Sequence, residues 1–195
     1  MRQGLLHYRA VALGAGLSLL FGATLWANPT PVDQVRQVGA TAVVYQGPQL
    51  DVAVSYKFPT LNHEGKWLML DTTMAATEGP LVIPRSAISV RTPDGTVVPL
   101  ASSSQYFKAY PQLAWNITKD SAIREPLGLP IARRYRPLRY FPPRGFGLTF
   151  DAAWVDYWHD SYGRLFFELP GSVHKGQYEL LINLSESKVV IPFTL

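Results

Sequence analysis

The densest run of residues able to recognise a ligand lies between Arg124 and Arg144. Arg124, Arg133, Arg134, Arg136, Arg139 and Arg144 stand there against Glu125 alone, and Pro126, Pro130, Pro137, Pro142 and Pro143 keep the stretch extended. Aromatic residues crowd the same region: Tyr135, Tyr140, Phe141, Trp154, Tyr157 and Trp158 all fall within it or just after it. Guanidinium forks bind phosphate, sulfate and carboxylate with two parallel hydrogen bonds, and aromatic faces add apolar area and cation–π partners at little entropic cost. The expected ligand-binding set is therefore Arg133, Arg134, Arg136, Arg139, Tyr140, Arg144, Trp154 and Trp158. Its partner would be an envelope protein or an anionic glycan or lipid headgroup. The alternative is internal: Arg134, Arg136 and Arg139 pair with Asp151, Asp156 and Asp160, while the aromatics close one end of the domain.

A second group is Asp156, His159 and Asp160, which would share one side of a helix. Such a trio can hold a divalent cation, or let a carboxylate orient an imidazole for general-base work. A solvated helix face accounts for it more simply, and no His-Glu-x-x-His spacing supports zinc. No Gly-x-Ser-x-Gly elbow and no phosphate-cradling Gly-x-x-x-x-Gly-Lys loop occurs either. His63-Glu64-Gly65 and His174-Lys175-Gly176 read as turns. The reading is a non-enzymatic binding or accessory protein with no cofactor and no metal. The alternative is a glycan-processing enzyme that uses two carboxylates of the Asp151 to Asp160 segment across a groove.

Short strands must position these groups. Leu50, Val52, Val54, Tyr56 and Phe58 alternate with Asp51, Ala53, Ser55 and Lys57, which predicts a strand with one buried and one wet row. Ala40 to Gln46 precedes it across a Gly47-Pro48 turn, predicting a hairpin. Trp67 to Met74 and Ala87 to Arg91 are apolar runs. Pro93-Asp94-Gly95 turns the latter into Val97, Val98 and Leu100, an edge strand because Pro99 has no amide hydrogen. Arg164 to Leu169, Gln177 to Leu184 and Lys188 to Leu195 add three more.

Between about residues 101 and 162 this rhythm breaks. Ser102 and Gln105 form a capping-box pair that predicts a short helix ended by Pro111. Asp151 reads as a second cap, with Phe150 and Val155 as its staple, Gly163 at the exit and Trp154, Tyr157 and Trp158 on one face. The competing strand would put Asp156 beside Trp154 and Trp158, so the helix is preferred.

At the start of the chain, Arg2, His7 and Arg9 precede an uncharged stretch from Ala10 to Ala27, the order of an export signal. Ala27 suits the cleavage position, whereas Leu25 is large for the place two before it. The expected organisation is a signal peptide over 1–27, a linker over 28–38 and one β-sandwich domain over 39–195. That places the domain outside the cytoplasm, periplasmic or secreted, and touching a membrane only through an uncleaved signal. The chain has 195 residues and no cysteine, so a core rather than disulfides must hold the domain. Two of its 18 basic residues lie in the signal, and the modest remaining charge argues against a nucleic-acid partner.

Tyr162-Gly163-Arg164-Leu165-Phe166-Phe167-Glu168-Leu169-Pro170, Gly176-Gln177-Tyr178-Glu179-Leu180 and Val190-Ile191-Pro192-Phe193-Thr194-Leu195 resemble the closing strands of uncharacterised exported bacterial domains with an immunoglobulin-like or telokin-like sandwich. Val90-Arg91-Thr92-Pro93-Asp94-Gly95 is similar to their inner hairpin. The resemblance covers about a third of the exported part and departs at the insertion. It implies an all-β, antiparallel immunoglobulin-like sandwich with a long, partly helical insertion, and it carries no catalytic residues.

Overall fold

The computed structural model describes residues 34–63, 65–124, 126–131, 133–142 and 147–195. The expected signal, most of the expected linker and Arg144 lie outside the described residues. The fold is mainly β. A six-stranded sheet has the order β1 (Val35–Val38), β2 (Ala42–Gln46), β3 (Leu50–Ser55), β4 (Trp67–Ala76), β10 (His159–Glu168), β8 (Arg134–Pro137). A four-stranded sheet has the order β12 (Lys188–Thr194), β11 (Gln177–Asn183), β6 (Ile88–Arg91), β7 (Val97–Pro99). β5 (Leu81–Pro84) and β9 (Ala152–Val155) form a separate two-stranded ribbon. The α-helices among the described residues are α1 (Lys57–Leu61) and α2 (Ser103–Ile123).

The alternating row Val52, Val54 and Tyr56 is buried in one core with Leu68, Leu70, Leu165 and Phe167, and with Ile88, Val90, Leu180, Ile182, Ile191 and Phe193 of the four-stranded sheet. Tyr56 stacks on Phe193 with ring centroids 5.2 Å apart. The β2–β3 hairpin forms as read, Tyr45 opposite Val52 and Val43 opposite Val54. Gly95, at φ 87°, supplies the turn into β7, and β7 with Pro99 is an edge strand.

Four expectations outside α2 are corrected. The sheets are not all antiparallel, because β8 lies parallel to β10, His159 opposite Arg134 and Tyr162 opposite Pro137. A long insertion lets the chain return to that edge in the parallel sense. The last four residues of the expected linker are not tether but strand β1, since β2 offers an unpaired edge. The second row of β3 is not wet: Asp51, Ala53 and Ser55 are buried, with Leu127 and Leu129 packing over Val44, Ala53 and Ala75. Residues 151–163 do not form a helix. Ala153 and Val155 point into the core, and Trp154 points out.

α2 begins at the expected capping box: Ser102 Oγ accepts from Gln105 N at 3.1 Å, and Gln105 Oε1 accepts from Ser102 N at 2.8 Å. It runs on through Pro111, which sits on the exposed side. Tyr106, Leu113 and Asp120 are buried, and Tyr110 and Ile117 pack beside them, so a stripe of three- and four-residue spacings holds the helix past its weak point. This stripe lies on the outer face of the six-stranded sheet, where Tyr106 meets Phe166 at 5.2 Å between centroids. Along β10, Leu165 and Phe167 therefore enter the inter-sheet core, while Tyr162, Arg164 and Phe166 face the helix side.

Candidate functional site

Arg85 closes the insertion. Its Nη1 donates to Ala101 O at 2.6 Å, and its Nη2 donates to Tyr140 O at 3.0 Å, Phe150 O at 2.9 Å and Ser103 Oγ at 3.2 Å. Its Nε donates to Asp151 Oδ1 at 3.2 Å, and the guanidinium lies 4.7 Å over the Phe141 ring. Burial lowers the Arg85 pKa, against the opposing pull of Asp151. One cation thus ties Tyr140, Phe150 and Asp151 to the start of α2.

The expected site residues divide into an inner and an outer group. Arg133 is inner: its side chain is only 3% exposed, and its Nη2 and Nη1 approach Asp51 Oδ2 at 3.5 Å and Asp160 Oδ1 at 3.6 Å. Burial raises the Asp51 pKa, and Arg133 opposes that rise. Tyr140 is also inner. It is fully buried, and its hydroxyl donates to Ile83 O at 2.6 Å. Neither side chain presents itself to a partner.

The outer group is Arg134, Arg136, Arg139, Trp154 and Trp158, all carried by β8, β9 and the segments beside them. Trp154 is 62% exposed and Trp158 71% exposed, and Tyr135 joins them on the surface. Arg136 donates to Asp156 Oδ2 at 3.2 Å. Among the described residues, Arg134 and Arg139 have no ion pair. A concavity of about 240 Å³ is lined by Arg136, Arg139, Phe150 and Trp154. A wider one of about 720 Å³ is lined by Ile131, Arg134 and Trp158.

The internal pairing anticipated for these arginines holds for Arg136 with Asp156, whereas Asp151 pairs with Arg85 and Asp160 with Arg133. The trio Asp156, His159 and Asp160 is split by the strand. His159 Nδ1 meets Asp156 Oδ1 at 2.8 Å while Asp160 turns to Arg133. Burial pushes the Asp156 pKa up, but hydrogen bonds from His159 and from Trp158 N–H outweigh it and hold the carboxyl below its usual range. Among the described residues no cluster of three His, Cys, Asp or Glu is placed to hold a metal ion.

Sequence reading missed a buried charged group under α2. Asp71, in the apolar run of β4, accepts from the Tyr162 hydroxyl. Arg164 approaches Asp71 Oδ1 at 3.4 Å, holds Asp120 Oδ2 at 2.7 Å and donates to Ser121 Oγ at 2.8 Å. Arg124 donates to Tyr162 Oη at 2.7 Å. Burial, reinforced by the neighbouring Asp120 charge, pushes the Asp71 pKa up to about 6. A signal was present: Asp71 interrupts an otherwise apolar strand and Asp120 an otherwise apolar helix stripe, and a buried carboxylate requires a cation.

Comparison with family models, curated proteins and solved structures finds nothing that matches this chain.

Proposed function

We propose that this chain is an exported, non-enzymatic binding or accessory domain of the cell envelope. Its two larger sheets are read as an immunoglobulin-like sandwich, and its contact surface is the outer edge around β8 and β9. The partner is an envelope protein or an anionic envelope component, met outside the cytoplasm. The observation that carries the reading is the exposure of Trp154 and Trp158 beside Arg134 and Arg139, which have no ion pair among the described residues. Large exposed aromatics cost solvation, and together with arginine they dominate binding energy where a partner covers them.

The glycan-processing alternative draws no support. Asp151, Asp156 and Asp160 are each engaged by an arginine, which favours a structural use of these carboxylates. The test is partner capture from envelope extracts and anionic envelope glycans with the parent chain and an Arg134→Ala/Arg139→Ala/Trp154→Ala/Trp158→Ala variant. Capture lost at unchanged melting temperature supports the reading; capture retained by the folded variant refutes it.

A further inference from the structure

On the helix side of the six-stranded sheet, a cleft of about 280 Å³ opens between α2 and the β8–β10 edge. Its cations are Arg124, Arg139 and Arg164, and no Asp, Glu, Asn or Gln is among its described lining residues. Arg164 is consumed by Asp120, Asp71 and Ser121 beneath the cleft. Arg124 lies 4.7 Å over the Tyr162 ring, and among the described residues its one hydrogen bond goes from Nη1 to the Tyr162 hydroxyl. No other described residue hydrogen-bonds its fork, and Arg139 has no ion pair among the described residues. Two guanidiniums thus line one opening, with no carboxylate among its described lining residues.

The walls fix the rest of the ligand. Tyr135 and Tyr162 stand with ring centroids 6.0 Å apart, and Phe141 and Phe166 also line the cleft. Sugar hydroxyls need acceptors such as carboxylates or amides, which this lining does not offer, whereas an aromatic ring is satisfied by apolar walls and ring edges. The volume is slightly below the usual range of small-molecule sites, roughly 300–1,000 Å³, so it admits a small ligand such as one ring with its anionic group.

We propose that this cleft is a small-molecule site, sharing Arg139 and Tyr135 with the outer surface but not its tryptophans, that takes a single aromatic ring carrying a carboxylate or a phosphate. The anion sits between Arg124 and Arg139 and the ring lies against Tyr135 and Tyr162.

Isothermal titration of the whole exported chain with benzoate and with phenyl phosphate tests this, using benzamide and inorganic phosphate as probes lacking the charge or the ring. At least one ring-bearing anion binds at least about tenfold more tightly than both controls. Arg124→Met and Tyr135→Ala each weaken it by at least about tenfold, while Arg134→Ala/Trp158→Ala, on the outer surface, leaves it unchanged. Because Arg124 also supports Tyr162, Arg139→Met serves as a second cation variant, and melting temperatures establish that each variant is folded. Binding of neither anion, equal binding of benzamide, or affinity unchanged in both folded cation variants overturns the proposal. Loss of partner capture by the Arg134→Ala/Trp158→Ala variant, which leaves Arg139 in place, bears only on the function proposed above.

Discussion

Arg164 on β10 holds Asp120 on α2 through two nitrogens, Nε and Nη2, each 2.7 Å from Oδ2. This pair fastens the helix to the sheet, and both partners are largely removed from water. Arg164→Ala would leave Asp71 and Asp120 buried without their cation and should destabilise the chain by about 3–5 kcal/mol in chemical denaturation. Asp120→Asn keeps an acceptor for Arg164, which retains Asp71, and should lose only about 1–2 kcal/mol. Equal losses would show that the arginine does not serve both acids.

Asp71 gives stability a pH dependence of unusual sign. Its carboxyl faces Tyr162 and Arg164 of β10, Asp120 of α2, Arg124 at the end of that helix, and Ser55 across the β3–β4 pair. With a pKa raised from 3.8 to about 6 on folding, it binds its proton more tightly folded than unfolded. Its contribution to stability is therefore greatest below the unfolded value and is lost as pH rises through the folded one. Asp71→Asn removes this dependence and should gain roughly 1–3 kcal/mol relative to the parent between acid and neutral pH. Denaturation curves at several pH values, with a parent-minus-variant difference flat across that window, would contradict it.

Pro111 lies inside α2 on the exposed side, where it removes a helical hydrogen bond without contributing to the buried stripe. Pro111→Ala should raise stability by about 1–3 kcal/mol, read from the denaturation midpoint.

Gly163 permits the close approach of β8. A Cβ there would lie 2.7 Å from Leu138 Cβ and 2.9 Å from Leu138 O. Gly163→Ala should cost about 1–3 kcal/mol, and hydrogen exchange should show Leu138 N–H, bonded to Tyr162 O at 2.6 Å, losing protection.

Local rules made several elements legible: strict alternation for β3, the Ser102–Gln105 box for the start of α2, and the missing amide of Pro99 for the edge position of β7. Elements decided by distant partners were not. α2 passes Pro111 because Tyr106, Leu113 and Asp120 find a sheet to cover, and a single-site helix breaker carries no information about that burial. The helix expected over β9 follows from keeping Asp156 off a row with Trp154 and Trp158, whereas in the structure Ala153 and Val155 make the buried row and both rings stay on the surface, where a neighbouring carboxylate costs nothing. The aromatic and arginine composition of the site could be read directly. Its division was not, because Arg133 differs from Arg134 only in which side of β8 it leaves, and the carboxylates that claim it come from β3 and β10.

The proposed contact surface is tested most directly by a photo-crosslinking amino acid placed in cells at Trp158 or Trp154, compared with one at Lys188 on β12, an edge strand of the other sheet. Crosslinked species appearing from the tryptophan positions and not from Lys188 are the result expected. No crosslink from either tryptophan position, or the same products from Lys188, would contradict the account.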